Sequence, residues 1–282
     1  MTTPAPRWAV LDGRRVPHEH ATVHSSDLGL RRGLAVFEAF RVEQSVPLFL
    51  EDRLARLECS ADAVGLPLPR GSDGVAADVR ALVAANGPGM TGAHVLLTGG
   101  RSDDGVTFRA PTTVVTTLEV GPRATAPKGA RLIAQQHTRQ FPEAKTTNYL
   151  TLMRLASAMH AAGAIDVLYH DGVQVTECAR SALAIVHDGT LVTRREGVLA
   201  SVSMKQLLVV ARKRMRVEER AITLEELRAA DEVLSTGAVR GVAPIVAIDG
   251  RPVGDGAVGP HAQALFRAFG ARVDEYVAAR RE

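Results

Sequence analysis

The sequence predicts an α+β protein with two domains, and three observations lead to this prediction. Four Asp-Gly pairs stand between apolar runs, and glycine gives such pairs the positive φ that antiparallel hairpin turns require. Apolar residues also recur at helical spacing between those runs. Finally, two prolines and a glycine interrupt the pattern over residues 121–128, as is typical of an inter-domain linker.

The first domain, residues 1–120, is predicted to be small and to combine strands with two helices. One helix would turn Leu54, Leu57 and Ala61 inward, and the next would begin with Ser72 as its N-cap. Alternating or β-branched apolar runs predict its strands over Val36–Val42, Ala93–Thr98 and Thr112–Val120.

The second domain, residues 129–282, is predicted to be larger and to continue the mixture. Strands are expected near Arg131, Val233 and Ile245, with hairpins at Asp171-Gly172 and Asp188-Gly189. The predicted helices are Tyr149–Ala162, Ser203–Arg216 and a terminal one from Pro260.

Composition excludes several classes of function. The net charge of +3 is spread along the chain and aromatic residues make up only 4%, so a nucleic-acid surface is not expected. Two cysteines without metal-ligand spacing predict neither a disulfide framework nor a metal site. The first residues form no apolar leader, and charges interrupt every apolar run. We therefore expect a soluble cytoplasmic protein without membrane segments.

Lys145 is the first candidate for chemistry. Small polar residues follow it, and an apolar helix begins at Tyr149, so the amine could be desolvated and lose its proton near neutral pH. Taken alone, however, a lysine before a helix is more often solvated.

Glu177 ends a predicted hairpin strand, where a carboxylate could face a cofactor, although an exposed loop acid beside Arg180 fits the local sequence too. Val202-Ser203 before a helix and the turn at Thr236 could bind phosphate, or could serve only as a helix cap and a turn. The glycine-rich run from Gly99 lacks the spacing of a nucleotide P-loop. No serine-hydrolase or HExxH motif occurs.

Several ordered motifs together are similar to those of the class IV aminotransferases, the fold-type IV enzymes of pyridoxal 5'-phosphate (PLP). The likeness covers about residues 8–256. It is carried by Asp27–Gly33 leading to Val36–Glu38, by Glu51–Leu57, by Lys145–Leu150, by Val175–Glu177, and by Gly197–Leu199 with Asp231–Val233.

The resemblance implies a small N-terminal α/β domain, a larger C-terminal domain with a barrel-like sheet, PLP between them, and a homodimer with shared active sites. Lys145 is implied as the Schiff-base lysine and general acid/base, and Glu177 as the partner of the pyridine nitrogen. Other cofactor contacts are implied at Arg56, Tyr149, Leu199, Val202, Ser203 and Thr236. Substrate contacts are implied at Arg31, Phe37, Arg101 and Arg180, with Arg31 contributed by the partner subunit.

Two motifs depart from the family pattern. Glu-Gly-Ser-Arg-Ser-Asn is replaced by Glu177-Cys178-Ala179-Arg180-Ser181-Ala182, and Pro-Gly-Ile-Thr-Arg is replaced by Ala200-Ser201-Val202-Ser203-Met204. Loss of a glycine and an arginine would weaken the phosphate cup, although the hydroxyls of Ser201 and Ser203 could compensate.

The amino acid substrate is predicted from fewer features. The Lys-x-x-Asn spacing from Lys145 to Asn148 resembles the D-amino acid aminotransferase and aminodeoxychorismate lyase branches of the family. The Thr98-Gly99-Gly100 loop resembles D-amino acid aminotransferases. We therefore predict amino transfer between a D-amino acid, such as D-alanine or D-glutamate, and a 2-keto acid. Aminodeoxychorismate lyase, branched-chain aminotransferase and a PLP-free dimeric scaffold are the alternatives.

Overall fold

A computed structural model describes residues 7–281, and contacts divide the chain into two units. The first unit holds the described residues up to Gly121, residues Ala144–Asn148 and the C-terminal segment from Tyr276. The second unit holds Pro122–Glu143 and Tyr149–Glu275. The change of unit at Gly121 falls where the sequence predicts a linker. Lys145 differs, because the predicted ranges assign it to the second domain while the structure groups it with the first unit. Residues 1–6 and 282 of the predicted domain ranges lie outside the described residues.

The first unit is built on a six-stranded antiparallel sheet in the order β2-β1-β6-β5-β3-β4. Its elements are β1 (Trp8–Leu11), β2 (Arg14–Pro17), α1 (Leu28–Arg32), β3 (Ala35–Glu43), β4 (Val46–Pro47), α2 (Leu50–Ala63), α3 (Gly71–Asn86), β5 (Gly92–Thr98) and β6 (Thr112–Thr117).

Helices α2 and α3 cover one face of this sheet. The apolar stripe predicted on α2 is confirmed, since Leu54, Leu57 and Ala61 are buried against strand residues such as Val95. The opposite face of the sheet carries alternate residues of β3 and β5 that are only partly buried, including Phe37 and His94. This second face is where the candidate lysine lies.

The second unit is built on a larger sheet in the order β12-β11-β10-β14-β15-β7-β8-β9-β13, with β16 paired to β15 and the whole curled like a half-barrel. Its strands are β7 (Ala130–Gln136), β8 (Asp166–His170), β9 (Gln174–Cys178), β10 (Ala182–His187), β11 (Thr190–Thr193), β12 (Arg216–Glu219), β13 (Ile222–Thr223), β14 (Glu232–Gly237), β15 (Gly241–Ile248) and β16 (Arg251–Pro252). Its helices are α4 (Leu150–Ala161), α5 (Val202–Ala211), α6 (Leu224–Ala229) and α7 (Pro260–Ala278), the last ending in the first unit.

The predicted α+β class and barrel-like sheet are thus confirmed. Within residues 7–281, no helix combines the length and the apolar character needed to cross a membrane.

The four Asp-Gly turns all connect paired strands, as predicted. At Asp12-Gly13, Asp188-Gly189 and Asp249-Gly250 both residues have positive φ, which is the type I′ geometry that matches strand twist. The turn at Asp171 is made differently, because its Oδ1 accepts hydrogen bonds from the amides of Val173 (2.8 Å) and Gln174 (2.7 Å).

Two helix ends differ from the prediction. Ser72 does not cap α3, which begins at Gly71, and the Ser72 hydroxyl instead donates to Glu58 on the neighbouring helix. Ser201 rather than Ser203 caps α5, since its Oγ accepts from the Met204 amide at 3.1 Å. Helix α5 ends at Ala211 because the chain then turns into β12, which pairs with β11 from Arg216 onward.

Candidate active site

The backbone around Lys145 is hydrogen-bonded to strand β3. The Lys145 carbonyl accepts from the Phe37 amide (3.0 Å), and the Thr147 amide donates to the Ala35 carbonyl (3.2 Å). On the other side of the residue, the Lys145 amide donates to the hydroxyl of buried Ser60 at 3.0 Å. Both backbone groups of the lysine are therefore held by hydrogen bonds.

The Lys145 ammonium lies over an aromatic pair. Its Nζ is 4.4 Å from the centroid of the Phe37 ring, a cation–π distance, and Phe37 stacks on His94 with 5.3 Å between ring centroids. Burial first, and then the positive charge of Lys145, lower the pKa of His94. The imidazole is therefore neutral at pH 7 and does not add a second charge beside the lysine.

His94 was missed by the sequence analysis, which named only Phe37 of this pair, as an implied substrate contact. The signal that could have revealed it is strand register. Ala39 of β3 lies opposite His94 of β5, and residues two apart along β3 share a face, so Phe37 and His94 belong to one side.

On the other face of β3, a carboxylate orients Arg56. Arg56 donates from Nε and Nη2 to the two oxygens of Glu38, at 2.7 and 2.8 Å, and Glu38 is fully buried. Arg53 lies 3.8 Å from the same carboxylate, and burial lowers its pKa to about 10. The sequence predicted Arg56 as a phosphate ligand; the structure shows it paired with Glu38, so its direction is set by that bidentate contact.

Arg31 and Arg101 are brought into one region of the first unit. Asp27, the N-cap of the helix that carries Arg31, accepts from the Gly29 amide (2.6 Å) and from the Thr98 hydroxyl (2.7 Å). The Leu28 amide donates to the Gly100 carbonyl, and the backbones of Asp27 and Arg101 form an isolated antiparallel β-bridge. The end of β5 is thereby held against α1.

The backbone of Ala110 passes so close to Gly100 that position 100 requires glycine. Its φ is +70°, and a Cβ there would lie 1.9 Å from the Ala110 carbonyl oxygen. The glycine-rich run therefore lies in the loop between β5 and β6, whereas a phosphate loop would be followed by a helix.

Glu177 is a buried residue near the end of β9 in the second unit. The interpretation of Glu177 as an exposed acid beside Arg180 is wrong, because Arg139 is its ionic partner at 3.1 Å. Arg180 instead donates to the Ile165 carbonyl and lies 3.5 Å from buried Asp166. With its charge facing Asp166, Arg180 is a weaker candidate for a substrate carboxylate.

Tyr149 and Leu199 are both partly buried in this unit. Tyr149 precedes α4 and packs with Leu152, Val167 and Tyr169, while Leu199 lies in the segment that leads from β11 to α5.

The predicted phosphate residues of the second unit lie on helix α5 and strand β14, which pack together. Val202 and Ser203 form the first turn of α5, an end of a helix that favours anions, and both are buried. Thr236 on β14 is fully buried, and its Oγ1 has no hydrogen-bond partner among the described residues. A buried hydroxyl without a partner costs stability unless a ligand satisfies it. These residues therefore fit a phosphate group.

Removing this hydroxyl should weaken PLP binding without harming the fold. We expect Thr236→Val to raise the dissociation constant for PLP about ten- to a hundredfold, the usual worth of a hydrogen bond to a charged group. The unfolding free energy of the apoprotein should not fall, since no hydrogen bond within the protein is lost.

Thr193→Val is the matched control for both measurements. The Thr193 hydroxyl donates to the Leu183 carbonyl at 2.7 Å, so its loss should cost about 1 kcal/mol of stability and leave PLP affinity unchanged. Equal PLP affinity of Thr236→Val and the wild-type protein would remove Thr236 from the phosphate site.

Comparison with known proteins assigns the chain to a family. Residues 35–248 match the model of amino-transferase class IV. The chain belongs to the class IV aminotransferases. It is 28% identical to the D-alanine aminotransferase of Listeria monocytogenes serotype 4b (strain F2365) over 96% of both chains.

Solved structures of class IV aminotransferases share the fold. A branched-chain aminotransferase from Thermoproteus uzoniensis has a TM-score of 0.85 at 25% identity, covering 97% of this chain and 98% of its own. A fold IV-transaminase from Curtobacterium pusillum has a TM-score of 0.81 at 26% identity, covering 97% of this chain and 99% of its own. A second branched-chain enzyme, with a TM-score of 0.87 at 25% identity and 98% coverage of both chains, was solved with pyridoxamine 5'-phosphate.

Class IV aminotransferases use PLP, so the chain is a PLP-dependent transaminase, as its motifs predict. Membership weighs against the alternative of a PLP-free scaffold.

Proposed function

We propose that this transaminase transfers amino groups between a D-amino acid, D-alanine or D-glutamate, and a 2-keto acid. The observation that carries the proposal is the backbone bridge between Asp27 and Arg101, because it holds Arg101 near the start of the helix that carries Arg31, the other proposed ligand of the substrate carboxylate. The D-alanine aminotransferases among its relatives support the same substrate class. The Lys-x-x-Asn spacing after Lys145 supports a D-amino acid aminotransferase or an aminodeoxychorismate lyase over a branched-chain aminotransferase.

The roles of the site residues follow from their chemistry. Bound PLP supplies an electron sink at its pyridine ring. The Lys145 amine would hold the cofactor covalently and then move the proton at the substrate Cα. Glu177 would hold the proton at the ring nitrogen, and Tyr149 and Leu199 would contact the cofactor. Arg56, Val202, Ser203 and Thr236 would bind its phosphate.

Substrate recognition would involve Phe37 and the arginines. Phe37 lies directly beside the Lys145 amine. Arg31 and Arg101 would bind the substrate carboxylate, whereas Arg180 is the weaker of the three candidates because of its contacts with Asp166 and Ile165.

A homodimer is also proposed. Much of the apolar surface of helix α4 is exposed, since Leu150 is 70% and Met153 59% exposed. An exposed apolar surface of this kind favours burial against another chain. In the first unit Leu30, next to Arg31, is likewise 66% exposed. The two cysteines are unpaired thiols, which supports the proposed cytoplasmic location.

The substrate is tested by supplying the purified holoenzyme with D-alanine, D-glutamate or L-leucine together with a 2-keto acid. We expect keto acid from the D-amino acids and at least about tenfold less from L-leucine. A preference for L-leucine would overturn the D-specific proposal in favour of a branched-chain aminotransferase, which the likeness to the Thermoproteus uzoniensis enzyme makes the second candidate. Release of p-aminobenzoate from aminodeoxychorismate would indicate the lyase instead.

A further inference from the structure

Glu177 has a charged neighbour that the sequence did not indicate. Arg139 lies in the segment that follows β7 and donates from Nη1 to Oε1 of Glu177 at 3.1 Å. Both side chains are largely buried, with 18% and 9% of their surfaces exposed. Water therefore screens the pair less than it screens an ion pair on the surface.

Arg139 is held in place by its own loop. Its Nη2 donates to the carbonyls of Pro142 (3.1 Å) and Phe141 (3.3 Å), and Phe141 adopts a left-handed conformation with φ of 52°. The guanidinium thus closes the turn from 139 to 142 while facing Glu177. The planar guanidinium has several N–H groups and can make these contacts at the same time, which the compact ammonium group of a lysine could not reproduce.

Two other titratable groups near Glu177, those of Tyr169 and Cys178, supply no positive charge to its carboxylate. Burial first, and then the charge of Asp166, raise the pKa of Tyr169 to about 12, and the same two causes raise the pKa of the Cys178 thiol. Both groups are neutral at pH 7, and both also feel the negative charge of Glu177. Burial alone would favour a protonated Glu177 carboxyl, whereas Arg139 opposes this.

We propose that Arg139 is a positioning residue that keeps Glu177 ionised, so that the proton shared with the cofactor stays on the pyridine nitrogen. This rests on the proposed role of Glu177. A shared proton resides on the stronger base, and an adjacent cation makes a carboxylate the weaker base. A carboxylate has about four lone-pair positions, so a contact with Arg139 is compatible with one to the ring nitrogen.

The alternative is that Arg139 serves only to close its loop. The two roles are separated by a double-mutant cycle with Glu177→Gln. If Arg139 acts through the carboxylate, its replacement has no further effect once the carboxylate is gone. If it acts only through the carbonyls of Phe141 and Pro142, its effect is the same in both backgrounds.

The experiment uses the holoenzyme loaded with PLP labelled with 15N at the ring nitrogen, without an amino donor. The 15N chemical shift at constant pH reports whether that nitrogen carries the proton. We expect a pyridinium shift in the wild-type protein and a shift toward neutral pyridine in Arg139→Met. The ratio of the two proton positions should change by tenfold or more, since a nearby opposite charge shifts carboxyl pKa by roughly 1–3 units.

Two variants serve as comparisons. Arg139→Lys keeps the charge without the planar guanidinium and should give an intermediate shift. Arg194→Met removes an arginine that binds Gln174 and Val175 on the same strand as Glu177, and it should leave the shift at the wild-type value.

A wild-type shift in folded, PLP-loaded Arg139→Met would overturn the proposal, as would an Arg139→Met effect that persists in the Glu177→Gln background. A wild-type protein that fails to bind PLP would instead refute the proposed function, and the role of Arg139 with it.

Discussion

Replacing Lys145 with alanine should lower the rate of transamination by at least about 10⁴-fold, the upper range for loss of a general acid–base group, with loss of the covalent cofactor link in addition. The rate is measured as keto acid formed from D-alanine. The visible absorbance band of covalently bound PLP should disappear from the same preparation.

The structure explains why this variant should remain folded. The Lys145 amide and carbonyl bond to Ser60 and Phe37 through backbone atoms, which alanine retains. The unfolding transition in urea should therefore change little.

Lys213→Ala is the control, since Lys213 is exposed just beyond the end of α5, and it should keep full activity. Retained activity or absorbance in Lys145→Ala would place the chemistry on another of the lysines.

Glu38→Gln is expected to lower the unfolding free energy of the apoprotein by about 3–5 kcal/mol, the usual cost of leaving a buried charge without its partner. Glu38 is fully buried and accepts both contacts from Arg56 while facing Arg53 at 3.8 Å. Glutamine has nearly the same shape but no charge, so two cations would remain near a neutral group. Urea denaturation of the apoprotein measures this loss without interference from the cofactor.

Glu58→Gln on the same helix as Arg56 provides the comparison, because Glu58 is exposed and bonds only to Ser72 among the contacts described. Its effect should stay within about 0.5 kcal/mol. A loss of less than about 1 kcal/mol in Glu38→Gln would mean that the buried pair contributes no more than a typical surface ion pair.

The elements that the sequence predicted correctly are those fixed by neighbouring residues. The turn at Asp12-Gly13 and the buried stripe of Leu54 and Leu57 depend on residues a few positions apart. The prediction of Ser72 as an N-cap was wrong because its hydroxyl donates a hydrogen bond to Glu58 on another helix. The local sequence does not encode such a tertiary contact.

The candidate site was predicted through family motifs more than through spacing. Lys145 and Glu177 were proposed as site residues because their short motifs are distinctive when taken in order. Glu38 and Arg139 were not found, since their partners lie 18 and 38 residues away and meet only through sheet register and loop closure. Ion pairs between residues so far apart in the sequence can be recognised only when the fold is known.

The assignment of Ala144–Asn148 and of the segment from Tyr276 to the first unit bears on how the chain folds during synthesis. The Tyr276 hydroxyl accepts from the Leu50 amide and donates to Glu51, so the start of α2 acquires these contacts only when Tyr276 has emerged from the ribosome, more than 200 residues later. The first unit is therefore the first to be synthesised, but it gains these contacts only after most of the second unit has been made. A fragment that stops at Gly121 would lack both the candidate lysine and this closing tyrosine.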